Sequence, residues 1–259
     1  MLLCFCGLLL LSGCVSGTAA EPKTFRVMSY NIHHGGGLDG KVDLDRIAAL
    51  IKREGADIVG LQEVDKGVER TQRRDLGAEL AKLTGMTCIF SNNLNHQGGE
   101  YGNAVLTKFP VGSWTNHHYK MLREGEQRGI LQLTLKVHGK DLVFMNTHLD
   151  HRSDGAERML STGEIREMLA RVKGKPVVLC GDFNCTPDSP PYAKLAEVLT
   201  DAWTVAGEGD GFTIPARKAT KRIDFIWLSK EPQIVPKRVW VPVSEASDHL
   251  PVVAELELR

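Results

Sequence analysis

The sequence predicts an α/β protein in which mixed β-sheets are covered by helices. Short apolar runs of strand length alternate with amphipathic stretches of helical length. One pair of runs is joined by a turn too short to hold a helical crossover, so the sheets cannot be purely parallel. The chain has 259 residues, 42% of them hydrophobic, which is enough to bury a full core in one large domain. Lys+Arg number 32 and Asp+Glu number 32. That balance excludes a disordered polyelectrolyte, and it lacks the basic excess of a protein that coats nucleic acid.

The N-terminus reads as an address. Residues 1–20 carry no Asp, Glu, Lys or Arg, and Leu8-Leu9-Leu10-Leu11 is followed by Ser12, Gly13 and Cys14. An apolar core ahead of small residues is a secretory signal. Leu11-Ser12-Gly13-Cys14 resembles the bacterial lipobox, which implies lipidation of Cys14 and a protein held to a membrane outside the cytoplasm. Plain secretion with cleavage after Ala20 is the alternative. Residues 24–259 contain no linker and no repeat, and are expected to form one domain.

Within it, residues 24–32 are expected to be a strand. Residues 43–53 are expected to be a helix with Leu44, Ile47, Leu50 and Ile51 on one face. A buried strand at 57–64, a helix marked by Leu76, Leu80 and Leu83, and a strand at 103–107 follow. Leu131, Leu133, Leu135 and Val137 alternate with polar residues, and a turn at 138–141 returns the chain as a buried strand over 142–149, a hairpin. Residues 154–172 are expected to be a helix with Asp154 and Glu157 as a capping box and Ile165, Met168, Leu169 and Val172 as its apolar stripe. Gly174 and Pro176 stop it. A strand at 176–181, a short helix at 192–199, and strands at 222–228, 234–241 and 250–258 complete the chain.

Several of these buried strands end in polar groups. Asn31 closes the first and Glu63 the second. His148 closes the hairpin, Asp182 and Asn184 follow Val177-Val178-Leu179, Asp224 interrupts 222–228, and Asp248-His249 precede the last strand. A charge buried without a partner costs several kcal/mol. These residues are therefore expected to converge on one another, on a ligand or on a cation. Carboxylates and amides are the donors a hard dication such as Mg²⁺ prefers.

Ser29-Tyr30-Asn31-Ile32, Leu61-Gln62-Glu63-Val64, Asn146-Thr147-His148-Leu149, Gly181-Asp182-Phe183-Asn184, Arg222-Ile223-Asp224-Phe225 and Ser247-Asp248-His249-Leu250 occur in an order that resembles the endonuclease/exonuclease/phosphatase superfamily. Tyr101-Gly102-Asn103 and Glu126-Gln127-Arg128-Gly129 are similar to its intermediate motifs. The resemblance spans residues 24–258. It implies a four-layer α/β sandwich, two packed mixed sheets flanked by helices, and a metal-dependent phosphoesterase. Carried over, Glu63 is the main Mg²⁺ ligand, helped by Asn31 and Asp248, with Mn²⁺ as a substitute ion. His249 acts on the phosphate or nucleophile with Asp224 as its pair. Asp182 positions or deprotonates the attacking water, Asn184 is its companion at the phosphate, and His148 contacts a phosphate oxygen. Whether Asp182 or His249 is the base stays open. Tyr101, Arg128, Asp150 and His151 are expected on the substrate at the cleft mouth.

The substrate is less constrained. No Gly-x-Ser-x-Gly elbow offers a covalent nucleophile, and Lys41 is wrongly spaced for Gly35-Gly36-Gly37 to be a phosphate loop. Arg70, Arg73 and Arg74 form one basic group, Arg217, Lys218, Lys221 and Arg222 another, and Arg123, Arg128 and Arg152 lie near the motifs. A small or lipid-linked phosphoester is favoured by the neutral net charge and the lipid anchor. A nuclease would need several of these cations on the backbone phosphates. An inactive binding lipoprotein on the same fold is the remaining alternative. The protein is expected to be a monomer.

Overall fold

The computed structural model describes residues 23–231 and 233–259; the signal segment with Cys14 lies outside the described residues. The strands are β1 (Thr24–Asn31), β2 (Ile58–Lys66), β3 (Thr87–His96), β4 (Gly99–Thr107), β5 (Val111–His118), β6 (Gly129–Val137), β7 (Lys140–His148), β8 (Val177–Asp182), β9 (Leu199–Asp201), β10 (Asp224–Ser229), β11 (Ile234–Trp240) and β12 (Val252–Leu258). The helices are α1 (Leu44–Glu54), α2 (Leu76–Thr84), α3 (Ala156–Arg171), α4 (Pro190–Ala196) and α5 (Ala202–Ala206). The strands make two six-stranded sheets, in the orders β11-β12-β1-β2-β4-β3 and β5-β6-β7-β8-β10-β9. Each sheet has one parallel pair, β1/β2 and β7/β8, and antiparallel neighbours elsewhere.

The two sheets face each other across Phe25, Val27, Ile58, Leu133, Phe144, Val178 and Ile226. Outside the first sheet, Ile47 and Ile51 of α1 and Leu80 of α2 cover Met28, Tyr30, Val59 and Leu61. Outside the second, Ile165 of α3 and Leu195 of α4 cover Met145, Leu179 and Trp227. This is the four-layer sandwich.

Four local readings are corrected. Asp43 is not inside α1 but caps it, accepting from the backbone N–H of Asp45 and Arg46. The capping box at Asp154/Glu157 does not form. Gly155 occupies the cap, and the Glu157 carboxylate turns away to accept from Leu122 N at 3.1 Å. Strands β3 and β5 were not expected. Both lie at sheet edges, where one side needs no apolar partner and the alternation that signals a strand is lost. Asp224 begins β10 rather than interrupting it.

The inner faces of the central strands change character along their length. With side chains alternating at a period of two, β1 points Phe25, Val27, Ser29 and Asn31 between the sheets. β7 points Leu142, Phe144, Asn146 and His148, and β8 points Val178, Cys180 and Asp182. Each series runs from apolar at one end to polar at the other, and both parallel pairs run the same way. The apolar ends make the core, and the polar ends meet at one mouth.

Candidate active site

Glu63 is out of step with that period and reaches the mouth through a bulge. Leu61 pairs with Ala104 but Val64 pairs with Gly102, so Gln62 and Glu63 oppose one residue of β4. The insertion shifts the phase: Val59, Leu61 and Val64 all pack outward on the helices, and Glu63 turns in. Its φ is +59°, a left-handed conformation costing a non-glycine residue on the order of 1–3 kcal/mol. The opposite sheet holds this bulge. Asn146 Nδ2 donates to Leu61 O at 2.8 Å and Ala104 O at 2.9 Å, and Asn146 Oδ1 accepts from Gln62 Nε2 at 2.7 Å. Gly60 makes room for this contact, because a Cβ there would lie 2.3 Å from Cys180 Sγ and 2.9 Å from Asn146 Oδ1.

At the mouth, Asn31 Nδ2 donates to Glu63 Oε1 and to Asp182 Oδ2, each at 3.0 Å, tying the first sheet to the second. Ser247 Oγ donates to Asn31 O at 2.7 Å and accepts from His249 N at 3.2 Å, which seats the loop before β12 on the end of β1. His249 Nδ1 donates to Asp224 Oδ2 at 2.9 Å, leaving Nε2 to face Asp182 Oδ2 at 3.7 Å. His148 Nε2 lies 3.4 Å from the same oxygen. Arg128 donates to His148 Nδ1 at 2.9 Å and to His151 Nδ1 at 3.2 Å, so the His148 hydrogen sits on Nε2, toward Asp182. Asn184 closes an Asx-turn, its backbone N donating to Asp182 Oδ1 at 2.9 Å, and its Nδ2 lies 3.1 Å from His148 Nε2.

Electrostatics separates these groups. Burial, reinforced by the Asp224 charge, pushes the Asp182 carboxyl up to about 7. Burial alone would lower His249, but the Asp224 and Asp182 carboxylates outweigh it and raise the imidazole to about 10. Burial and then the Arg128 charge hold His148 well below the usual histidine range, so it is neutral. Burial, then Arg70 and His33, lower His34 to about 4.

The cleft above these groups has a volume of about 360 Å³. Of the residues predicted from sequence, Glu63, Tyr101, Arg128, His148, His151, Asp182, Asn184, Asp248 and His249 line it. Asn31 and Asp224 lie just beneath. Asp150 is the exception to the expected cleft mouth: it is buried, accepts from Arg152 N at 2.9 Å and pairs with the Arg152 guanidinium at 3.1 Å. The Gly35–Gly37 loop is tied down, with Gly37 N donating to Lys41 O and Asp43 N to Gly35 O. Sequence reasoning missed His33, His34, His96 and Glu126, which also line the cleft. For His33 and His34 the signal was their position directly after Asn31-Ile32.

The donor set suits a hard dication. Asp182, Asp224 and His249 bring ligand atoms within 4.8 Å of one another, but His249 Nδ1 and Asp224 Oδ2 are committed to each other, so the oxygens left for an ion are those of carboxylates. Glu63 and Asp248 add carboxylate oxygens on the open side. Asn31 is oriented with its nitrogen toward Glu63 and Asp182 and its Oδ1 accepting from His33 N at 3.0 Å, so in this arrangement it orders the carboxylates.

A model of the Endonuclease/Exonuclease/phosphatase family matches residues 28–249. The chain is 27% identical over 254 residues to the uncharacterised protein YbhP of Escherichia coli K12, covering 92% of this chain and 98% of that one. It is 31% identical over 208 residues to a 5′-tyrosyl-DNA phosphodiesterase of Caenorhabditis elegans, covering 76% of this chain but 52% of the relative, about half of that protein's length. An endonuclease/exonuclease/phosphatase of Beutenbergia cavernae superposes with a TM-score of 0.73 at 27% identity, over 91% of this chain and 72% of that one. A mannosyl-6-phosphatase of Bacteroides thetaiotaomicron shares the fold, with a TM-score of 0.76 at 21% identity, over 90% and 99%. The matched span holds every strand end that meets at the mouth, and on it the chain belongs to the Endonuclease/Exonuclease/phosphatase family.

Proposed function

We propose that this protein is a divalent-metal-dependent hydrolase of phosphate esters that acts outside the cytoplasm, by direct in-line attack of water on phosphorus. The observation that supports this most is the Asp182–His249–Asp224 cluster set against Glu63 and Asn31 at one mouth. Glu63 and Asp248, ordered by Asn31, would hold Mg²⁺. When bound, that ion would draw charge from the phosphoryl oxygens and so lower the barrier to attack.

The remaining chemistry falls to the protein's own groups. Asp182 orients a water and takes its proton as the new O–P bond forms. The imidazolium of His249, held in one tautomer by Asp224, stabilises negative charge gathering on the phosphoryl oxygens. His148 donates from Nε2 to a phosphoryl oxygen. The ester P–O bond breaks, the leaving oxygen takes a proton from solvent water at the open mouth and departs as an alcohol, and Asp182 returns the proton it took to solvent. No acyl- or phosphoryl-enzyme intermediate is needed.

The ester is small rather than polynucleotide. Most cations that a nuclease would present are paired internally: Arg74 with Glu79, Arg152 with Asp150, and Arg70, which lines the cleft, with Asp65, while Arg73 is held by the carbonyls of Gly67 and Gln97. Arg222 is buried, paired with Asp201 and set over Phe225. The nuclease reading keeps Arg217, Lys218 and Lys221, exposed beside the Asp248 loop through the Ala216 N to Asp248 O bond. Incubation with Mg²⁺ or Mn²⁺ and a panel of bis-p-nitrophenyl phosphate, p-nitrophenyl phosphate, phospholipid and plasmid DNA decides. Turnover of the small esters is expected. Nicked plasmid without it selects the nuclease, and no turnover with any metal selects a binding role.

A further inference from the structure

The end of the sandwich opposite the cleft carries a second concave feature. A groove of about 370 Å³ opens between the C-terminus of α3, the start of β8 and the end of β10. Half-buried Leu169, Val172 and Val198 form its floor, and exposed Lys173, Lys175 and Lys230 stand on its rim. Glu231 is the one carboxylate among its lining residues.

Other lysines at this end are neutralised: Lys108 pairs with Asp57 at 2.9 Å and Lys136 with Asp141 at 2.7 Å. Lys173, Lys175 and Lys230 carry no ion pair among the described residues, nor do exposed Lys23 and Lys140 at the same end. His138 Nε2 donates to Thr24 O at 3.1 Å, placing the start of β1 against the β6–β7 turn that Lys140 follows. The chain therefore enters the fold here, and residues 1–22, which hold the apolar run, join the domain at its basic end. In a molecule of formal net charge +0, this end thus gathers unpaired ammonium groups around an apolar groove, whereas Arg217, Lys218 and Lys221, also without an ion pair among the described residues, stand at the cleft end, away from that groove.

We infer that this basic end, with the apolar groove at its centre, docks on an anionic lipid bilayer. The ammonium groups of Lys173, Lys175 and Lys230 meet lipid phosphates, and the groove floor takes the apolar stems of the same lipids. The eight-residue β1 separates this face from the mouth, a strand length of about 26 Å. A docked molecule therefore turns its cleft away from the membrane, so the ester it hydrolyses is water-soluble and not a lipid of the docking bilayer. That last step rests on the proposed phosphoesterase activity; the docking itself does not.

The test is co-sedimentation of the full chain with vesicles of phosphatidylcholine, with and without phosphatidylglycerol, read as the difference between the two. Binding should require phosphatidylglycerol and weaken as salt rises. Each lysine near such a surface is worth about fivefold in affinity. Lys173→Gln, Lys175→Gln and Lys230→Gln together should therefore cost on the order of 100-fold, and the three Lys→Glu changes more, while turnover of soluble bis-p-nitrophenyl phosphate stays at the wild-type rate. Retained turnover also reports that the variants are folded; if no variant, nor the wild type, turns the ester over, a thermal melt reports folding and the binding arms still decide the docking. Equal binding to both vesicles, or unchanged binding of the triple variant, overturns the inference. So does release by Lys218→Glu/Lys221→Glu at the cleft end; hydrolysis of the vesicle's own phosphatidylglycerol overturns the outward-facing cleft.

Discussion

The first sheet brings its parallel pair, β1 and β2, to Asn31 and Glu63; the second brings β7 and β8 to His148 and Asp182. The scaffolds match, yet the groups they deliver sit in different surroundings. On the first-sheet side, the Glu63 and Asp248 side chains keep 21% and 44% of their exposure. On the second, Asp182 and Asp224 keep 2% and 0%. A site that exchanges a cation with solvent must stay open. A site that moves protons near neutral pH must be dry enough to shift its acids and bases. Under the proposed roles the same strand pairing serves both, because the bulge at Glu63 lifts one carboxylate to the rim while the regular period of β8 leaves the other at depth.

That comparison predicts unequal damage. Asp182→Asn removes the buried proton acceptor and should lower kcat by about 10⁴-fold, with no recovery at any Mg²⁺ concentration. A residual rate that climbs with metal would place Asp182 on the cation's side instead.

The pH profile sharpens the same point. With Asp182 raised to about 7 and His249 to about 10, kcat/KM should rise as pH increases toward 7 and Asp182 ionises. It should fall toward 10 as His249 loses its proton. In Asp182→Asn any residual activity should lose the acidic limb. If the acidic limb stays, another group is the base.

Asn146→Ala tests the support beneath Glu63 rather than the mouth. It leaves the carbonyls of Leu61 and Ala104 and the Gln62 amide without their partner in a dry core, a loss of about 2–3 kcal/mol. A lowered denaturation midpoint is expected. Because the bulge loosens, the Mg²⁺ concentration needed for half-maximal activity should also rise about tenfold, and kcat at saturating metal should hardly change. A fall in kcat without the metal shift would mean that Asn146 acts elsewhere. The smallest effect is expected at Asp150→Asn, which lies off the cleft: KM for the small ester should change less than about twofold, with some loss of stability from the unpaired Arg152.

Much of this site was legible because polar residues occupy inner-face positions of otherwise apolar strands. Asn31, His148, Asp182 and Asp224 each stand where the period of two demands a core residue. Glu63 was legible by motif but not by geometry, since nothing in Leu61-Gln62-Glu63-Val64 announces an inserted residue or a left-handed φ. Edge strands β3 and β5 escaped because solvent relaxes their pattern. Asp150 and the basic groups misled for one reason: a charged side chain advertises its sign in sequence but not the partner that neutralises it. Arg222 looks like a substrate cation until Asp201 is found beside it, whereas Arg70 pairs with Asp65 and still lines the cleft.

The division of labour across the mouth is tested most directly by titrating Glu63→Gln and His249→Ala with Mg²⁺ on one small phosphodiester. Glu63→Gln should lose about 100-fold at low metal and regain a large part as Mg²⁺ rises, because what it lacks is affinity for the ion. His249→Ala should lose about 10²–10³-fold at every concentration, because what it lacks is charge at the reacting phosphoryl group. Rescue of both variants to the same degree, or of His249→Ala alone, would contradict the assignment of the cation to the first sheet and of the proton chemistry to the second.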